Sequence, residues 1–193
     1  MSLHLRPALD AYLAGLKDSF AQVPDQALNA AADAIVQTFK RGDVVYVCGN
    51  GGSGANASHI VVDYVKCLRT GAALPRVHAL VDNAPTLTAV GNDLDYDQIF
   101  AYQLETYLKP GDLVWCLTGS GNSPNILRAL AAARQRGNRT LLFCGYDGGK
   151  AKAMADLVVH YPSHDMQKCE DSQMVLANVI MQEVLRRGGL DKV

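Results

Sequence analysis

Residues 43–53 read Asp-Val-Val-Tyr-Val-Cys-Gly-Asn-Gly-Gly-Ser, a short apolar run that ends in glycines and a serine. An uninterrupted run rich in β-forming residues is typical of a parallel strand covered on both faces. Four more apolar runs follow, at 77–81, 113–117, 140–144 and 157–161. Because helical stretches separate them, the sequence predicts an α/β fold, a three-layer, open and mainly parallel five-stranded sheet with helices on both faces.

Helices flank this predicted sheet at both ends of the chain. Two helices precede the first strand and form a predicted helical arm at 1–42, ahead of an α/β core at 43–193. This length and organisation predict one domain. The last helix runs from about Lys168 to Arg187 and is apolar nearly all round from Met174 to Leu185. Such a helix is predicted to be buried, between layers or between subunits.

The charge balance bears on the class of partner. The chain has 193 residues, with 18 Lys and Arg against 19 Asp and Glu, and it contains no basic block. Nucleic acid and anionic membranes attract basic surfaces, so neither is predicted as a partner.

The cysteines and the apolar runs bear on the compartment. The five cysteines lie inside apolar runs and form no CxxC pair, which is typical of buried thiols in a reducing compartment. The start of the chain lacks the apolar segment of a signal peptide, and no apolar run approaches the length of a membrane span. A cytoplasmic protein is therefore expected.

Two loops carry the chemistry of anion binding. The first predicted strand runs into Gly49–Ser53 and the third into Thr118–Pro124, and a helix follows each loop. Glycines let backbone N–H groups approach an anion, and a helix N-terminus adds a favourable dipole. Ser123 is a predicted N-cap, ahead of Pro124 at the first helical position. The residues predicted to bind phosphate are Asn50, Gly51, Gly52, Ser53, Thr118, Gly119, Ser120, Asn122 and Ser123.

An alternative explains each loop as a tight strand-to-helix turn, where Gly, Asn and Ser are common in any case. Two hydroxyl-rich loops at neighbouring strand ends favour the anion site over this alternative. Neither loop has a GxxxxGK[ST] motif, and no GxGxxG opens the first strand-to-helix turn. A small monophosphate is therefore predicted as the ligand, and no nucleotide cofactor is expected.

These motifs resemble a known family. The string GNGGS, His59 with an acid four residues later, and TGSGNSPN resemble the sugar isomerase (SIS) domain family and, within it, the phosphoheptose isomerases. The likeness covers nearly the whole chain, including 91–93 and 145–149. It implies a sugar-phosphate substrate, interconversion of sedoheptulose 7-phosphate and a heptose 7-phosphate, and a homotetramer with sites near subunit contacts.

The resemblance also implies catalytic residues. Aldose–ketose isomerisation moves a proton between C1 and C2 through an enediol and needs a general base. His59 and Asp63 are spaced i, i+4 and share one helix face. The family has Glu where this chain has the shorter Asp63, so Asp63 is predicted as the acid/base, with His59 and Glu170 beside it. The alternatives are a helix-face hydrogen-bond pair without chemistry, and a Glu170 that only decorates a helix N-terminus.

Zinc is a candidate cofactor on the same grounds. Some family members bind it through His, Glu, Gln and His, and the matching positions here are His59, Asp63, Glu170 and Asn178. Asn is a poor zinc ligand and no general base, which leaves His59, Asp63 and Glu170 as tentative ligands. Asn178 is kept as a substrate contact.

Three further residues complete the set of predictions. Asp93 matches a family segment near the sugar hydroxyls, although Asn-Asp is also ordinary turn chemistry. His78 falls in a predicted strand and is expected in the core or an interface. His164 is expected to be a solvated loop histidine that could reach the site.

Two functions stay open at this point. The first is the isomerase. The second is a phosphosugar-binding module without catalysis, as in the initiator-associating branch, which also resembles phosphoheptose isomerase. Asn178 favours the module because that branch has Asn there, and Asp63 favours the enzyme because that branch keeps no carboxylate there.

Overall fold

The computed structural model describes residues 5–68 and 74–187. The strands are Val45–Gly49 (β1), Val77–Ala79 (β2), Leu113–Thr118 (β3), Arg139–Cys144 (β4) and Leu157–His160 (β5). The helices are Leu5–Phe20 (α1), Asp25–Arg41 (α2), Gly51–Cys67 (α3), Ala84–Asp93 (α4), Ala101–Tyr107 (α5), Pro124–Gln135 (α6), Gly149–Met154 (α7) and Met166–Arg187 (α8), with a short 3-10 helix at Tyr96–Gln98.

The five strands form one parallel sheet in the order β2-β1-β3-β4-β5. The predicted fold class is confirmed, with every predicted strand in place and β2 ending two residues early, at Ala79. In the central pair, Cys48 lies opposite Cys116 and Gly49 opposite Leu117. β1 and β3 therefore end at nearly the same level of the sheet.

Both faces of the sheet are covered. One hydrophobic cluster joins the sheet to α2, α3 and α8, and a second joins the opposite face to α5 and α6. Trp115 is fully buried in the first cluster, with ring centroids 4.9 Å from Phe143 and 5.9 Å from Tyr64. Edge-to-face aromatic pairs of this kind add about 0.5–1.5 kcal/mol beyond the area they bury. The core thus fixes α3 against the middle of the sheet.

The two N-terminal helices have different roles. α2 buries Ala31, Ile35 and Phe39 in the core, whereas α1 buries Leu16 and Ser19 and contacts α8. The Tyr12 hydroxyl of α1 donates a 2.7 Å hydrogen bond to Asp171 at the start of α8. Desolvation and this carboxylate raise the pKa of Tyr12 to about 12, which keeps the hydroxyl a donor across the physiological range.

Helix α8 is covered on one side only by the rest of the described chain. It buries Leu176, Ile180 and Val184, but Val175 and Val179 are 43% and 50% exposed. Burial of α8 on all sides is therefore not achieved within one protomer. Along residues 5–68 and 74–187, the helices lack the combination of length and apolar character that a membrane span requires.

Cys67 is not buried as expected, and of the two places expected for His78, core or interface, the core is wrong. Cys67 is exposed at the end of α3, whereas the other four cysteines are buried as expected. His78 lies on the exposed side of edge strand β2, where its ring stacks at 6.0 Å on Tyr46, and not in the core. Side chains alternate along a strand, so His78 points to the sheet face opposite to that of Val77 and Ala79, which are buried in the first hydrophobic cluster.

Candidate functional site

A cavity of about 240 Å³ lies at the carboxyl edge of the sheet, between the loops that follow β1 and β3. The strand order reverses between these two strands, and in open α/β sheets ligands bind at such a switch point. The described residues that line the cavity are Asn50, Gly51, Gly52, Ser53, Leu117, Thr118, Gly119, Ser120, Ser123, Met166 and Glu170. Most of the predicted phosphate residues are therefore brought together in one place.

The first loop leads directly into α3. Asn50 is the N-cap, and Gly51, Gly52 and Ser53 form the first helical turn, whose N–H groups have no partner inside the helix. Gly52 lies in close contact with α8, because a Cβ there would lie 2.3 Å from the carboxylate of Glu170, which would have to move. The start of α3 thus presents free backbone N–H groups, as the predicted anion site requires, and α8 packs against it.

In the second loop, two hydroxyls already serve as acceptors. The Thr118 hydroxyl accepts from the Gly121 N–H at 3.1 Å, and the Ser120 hydroxyl accepts from the Asn122 N–H at 3.3 Å. Because their oxygens accept from the backbone, their hydrogens stay available to donate to a ligand. Gly121 has a φ of 68°, and a Cβ there would lie 1.9 Å from the Gly148 carbonyl oxygen, so this turn needs glycine.

Ser123 occupies the predicted N-cap position of α6, and Pro124 is the first helical residue. Within the described residues its hydroxyl makes no capping hydrogen bond, although it lines the cavity. A polar group at a helix N-terminus that is not used for capping is suited to bind a ligand.

The two loops are joined by a pair of amides. Asn50 and Asn125 exchange two side-chain hydrogen bonds of 2.8 Å, and the Tyr96 hydroxyl donates to the Asn50 side chain at 3.2 Å. The Asn50 side chain is thus already hydrogen-bonded to its neighbours. Its predicted contact with phosphate would therefore be made by its backbone N–H group. Sequence reasoning missed Asn125, although its place two residues after Ser123 puts it in the first turn of α6.

His59 and Asp63 form the predicted pair on α3. The Nε2 atom of His59 lies 3.3 Å from Oδ2 of Asp63, and their side chains are 58% and 26% exposed. The pair is not among the described residues that line the cavity. Ten residues of helix separate Asp63 from Ser53, about 15 Å along the axis. Helical side chains lean towards the N-terminus, which tilts both groups back towards the loops.

Glu170 lines the cavity from the other side. Helix α8 begins at Met166, so Glu170 lies in its second turn and not in the first turn, where acids serve the helix dipole. The alternative, in which Glu170 only interacts with the helix dipole at the start of α8, is therefore not supported. Asn178 lies two turns further along α8, half-buried and outside the cavity lining.

The tentative zinc ligands do not gather into a site. Across the described ranges, no three His, Cys, Asp or Glu side chains are arranged to hold a metal ion. His59 and Asp63 offer two donors on α3, whereas Glu170 is packed against Gly52. Structural and catalytic zinc sites use three or four protein ligands, so these residues fit zinc poorly.

Two predicted ligand residues have other partners. Asp93 is exposed at the end of α4 and accepts a 2.8 Å hydrogen bond from its neighbour Asn92. Asn122 braces its own loop, because its side-chain oxygen accepts from the Lys150 N–H at 3.1 Å and its amide donates to the Ser120 carbonyl at 3.1 Å. Neither belongs to the described lining of the cavity.

The region before α8 adds two observations. His164 is exposed and packs edge-on against Tyr146, with ring centroids 5.3 Å apart. Cys169 is buried, and desolvation raises the pKa of its thiol, which keeps it protonated and unsuited to act as a nucleophile.

Met166, which sequence reasoning did not single out, supplies an apolar wall of the cavity.

Comparison with known proteins adds independent findings. Residues 11–145 match the family model described as the SIS domain. The chain is 38% identical over 177 residues to a phosphoheptose isomerase of Chlorobaculum parvum, covering 90% of this chain and 84% of that one.

Two solved structures are also similar to this one. A phosphoheptose isomerase from Francisella tularensis has a TM-score of 0.86 and 26% identity over 93% of this chain and 95% of that one. The Neisseria gonorrhoeae phosphoheptose isomerase also has a TM-score of 0.86, with 24% identity over 93% and 96% of the two chains, a likeness of fold.

Proposed function

The chain belongs to the SIS domain family and, within it, to the phosphoheptose isomerases, and from this premise we propose that it interconverts sedoheptulose 7-phosphate and a heptose 7-phosphate. The observation that carries this proposal is the arrangement along α3. A cavity lined by the two hydroxyl-rich loops lies at its first turn, and a carboxylate–imidazole pair lies further along the same helix.

Phosphate binding is assigned to the two loops. The hydroxyls of Ser53, Thr118, Ser120 and Ser123 line the cavity, together with the N–H groups at the start of α3. A helix N-terminus and several hydroxyl donors suit a dianionic phosphate monoester. The phosphate then fixes one end of the substrate, so the reacting end is held at a set distance from it.

The chemistry is assigned to the far end of the substrate. The ketose loses a proton from C1, and the C1–C2 enediol forms as O2 takes up a proton. The aldose then forms as O1 loses its proton and C2 receives one, so no proton is gained or lost overall. We assign the C1 and C2 transfers to Asp63 and the positioning of the sugar oxygens to His59 and Glu170. The long spacing between Ser53 and Asp63 favours a long sugar phosphate over a triose phosphate.

Zinc stays a prediction and enters no step of this mechanism. When bound near a carbonyl, zinc acts as a Lewis acid that polarises the oxygen. The described donors fit such a site poorly, because only His59 and Asp63 lie together. Metal analysis of the purified protein tests this prediction.

The function is tested by following sedoheptulose 7-phosphate in D₂O by NMR, with and without added zinc. We expect aldose signals to appear and the C1 and C2 protons to exchange with solvent deuterium. Unphosphorylated sedoheptulose is the matched control, and its turnover should be far slower because it lacks the group held by the loops.

The outcome that contradicts the isomerase is tight binding of the phosphosugar without any proton exchange, whatever metal is present. That result would favour the phosphosugar-binding module, for which the observation is Asn178 at the position of a family histidine. An Asn side chain has no basic nitrogen and cannot replace that histidine in proton transfer.

A homotetramer is proposed as the working assembly. Support comes from exposed apolar residues on three helices, which are Leu5, Leu9 and Leu13 on α1, Val62 and Val65 on α3, and Val175 and Val179 on α8. Exposed apolar clusters of this kind mark contact surfaces, and closed symmetric assemblies are the usual outcome.

The assembly is tested by light scattering at micromolar concentration. We expect a mass four times the 20.7 kDa of the chain, and a smaller species for Val179→Asp, because a carboxylate would be buried in the contact. Tyr102→Asp, which changes an equally exposed residue of α5, is the control and should leave the mass unchanged. A 20.7 kDa monomer for the unmodified chain would contradict the proposal.

A cytoplasmic location is proposed as well. It is supported by five free cysteines in the described residues, four of them buried. Desolvation raises the pKa of Cys144 to about 12, typical of a thiol that serves as a small apolar side chain.

A further inference from the structure

A chain of buried and partly buried side-chain hydrogen bonds links α8 to the loop after β1. The Nε2 atom of Gln173 lies 2.9 Å from the hydroxyl oxygen of Ser53. The Nδ2 atom of Asn56 lies 2.9 Å from the side-chain oxygen of Gln173 and 2.9 Å from the backbone carbonyl oxygen of Glu170. Gln173 is fully buried and Ser53 nearly so, which makes the direction of each hydrogen bond important for the energy of the site.

The direction follows from the carbonyl of Glu170. A backbone carbonyl can only accept, so Asn56 must present its NH₂ group to it. The same NH₂ group faces Gln173, which must therefore present its oxygen. The NH₂ group of Gln173 then faces Ser53, whose oxygen must accept. Each step leaves one choice, so the orientation of both amides is fixed by the backbone of α8.

This order has a consequence for the anion site. A serine hydroxyl in the first turns of a helix can donate to the carbonyl four residues earlier, which for Ser53 is that of Gly49. A hydroxyl that donates there presents only lone pairs to a phosphate, which also carries only acceptors. The oxygen of Ser53 accepts from Gln173, and within the described residues its hydroxyl makes no hydrogen bond to the Gly49 carbonyl, so its hydrogen is available for the cavity.

We infer that Gln173 is a positioning residue that orients the Ser53 hydroxyl so that it donates to the substrate's phosphate. Gln173 does not itself line the cavity among the described residues, and it acts through Ser53. This inference rests on the proposed phosphate site, and it assigns a role to a residue outside the catalytic set.

The test measures the Kd for inorganic phosphate by calorimetric titration in a double-mutant cycle. Gln173→Met has a similar volume but no donor, and we expect it to weaken phosphate binding about 10-fold, the usual size for a hydrogen bond to a charged group. In the Ser53→Ala background the same change should alter Kd less than two-fold, because the group it orients is gone. Gln173→His keeps an N–H donor and should restore most of the affinity.

Gln103→Met is the matched control. Gln103 is a buried glutamine of α5 whose amide donates to the Leu80 and Ile99 carbonyls at 3.0 and 2.7 Å. It should lower the melting temperature as Gln173→Met does, yet leave the Kd for phosphate unchanged. An equal loss of affinity from Gln173→Met with and without Ser53, or no loss at all, would overturn the inference. If the unmodified chain binds no phosphate, the proposed phosphate site itself fails.

Discussion

Replacing Asp63 by Asn is expected to lower the turnover of sedoheptulose 7-phosphate by about 10²- to 10⁴-fold, the usual cost of losing a well-placed general base. Asn has nearly the same shape but cannot take up a proton at neutral pH. The Kd for inorganic phosphate should stay unchanged, because Asp63 lies outside the described lining of the phosphate cavity. Turnover is measured by NMR and phosphate binding by calorimetry.

Two companion variants make this result specific. Asp63→Glu restores the longer side chain of the family and should keep most of the activity, since the carboxylate remains. Asp33→Asn removes a carboxylate of α2 that pairs with Arg187 at 2.7 Å, and it should leave turnover unchanged. If Asp63→Asn turned over substrate at the rate of the unmodified chain, the base would have to be another group, and Glu170 at the cavity would be the next candidate.

The pair of His59 and Asp63 explains why this position suits a base. The imidazole lies 3.3 Å from the carboxylate, and the Asp63 side chain is three-quarters covered while His59 is mostly exposed. A neighbouring imidazole can hold a carboxylate in one orientation and stabilise charge that develops on the sugar oxygens. The first turn of α3 and the pair lie on one rigid helix, so their separation is fixed by helix geometry.

The fold could be predicted because its signals are local. Most strands contain a short run of apolar residues, and glycines or charged residues nearby in the sequence mark where several of these runs end. The run 43–48 alone indicates a buried parallel strand, and the structure places Val45–Gly49 at the centre of the sheet. Boundaries shifted where hydrogen bonding decides them, as at β2, which ends at Ala79.

The convergence of the two loops on one cavity could be predicted for the same reason, whereas the residues that hold the loops could not. Asn125 bonds across 75 positions to Asn50, and Gln173 bonds across 120 positions to Ser53. Both are amide residues on helices, and Asn and Gln are usually exposed, so the sequence gives no reason to expect them to be buried. Only the packing of α8 against α3 shows that these amides are buried and must be paired.

The family resemblance was least informative where the chain departs from it. It placed Glu170 in a metal set with His59 and Asp63, but the structure packs Glu170 against Gly52 at the phosphate loop. A Gln at that position would be neutral, whereas Glu170 brings a carboxylate into the cavity that we propose binds the phosphate. The favourable binding free energy of a phosphate must therefore come from the hydroxyls and N–H groups around it.

Because the hydroxyls must hold the phosphate, removing those of Ser53 and Ser120 is expected to weaken phosphate binding strongly. Ser53 and Ser120 lie on opposite loops of the cavity, and each hydroxyl oxygen already accepts one hydrogen bond, from Gln173 and from the Asn122 N–H. Each can donate to the phosphate, so each change to Ala should cost about 1.5–3 kcal/mol of binding free energy. If the two losses add, the double variant should bind sedoheptulose 7-phosphate roughly 10²- to 10⁴-fold more weakly in a calorimetric titration.

The control for that experiment is Ser172→Ala, on the same helix as Gln173. Ser172 is fully buried, and its hydroxyl makes no hydrogen bond within residues 5–68 and 74–187. Its removal should leave affinity unchanged, which separates loss of a hydroxyl at the cavity from loss of any buried hydroxyl. Unchanged affinity in the Ser53→Ala, Ser120→Ala double variant would mean that backbone N–H groups alone hold the phosphate, and the hydroxyls would then need another role.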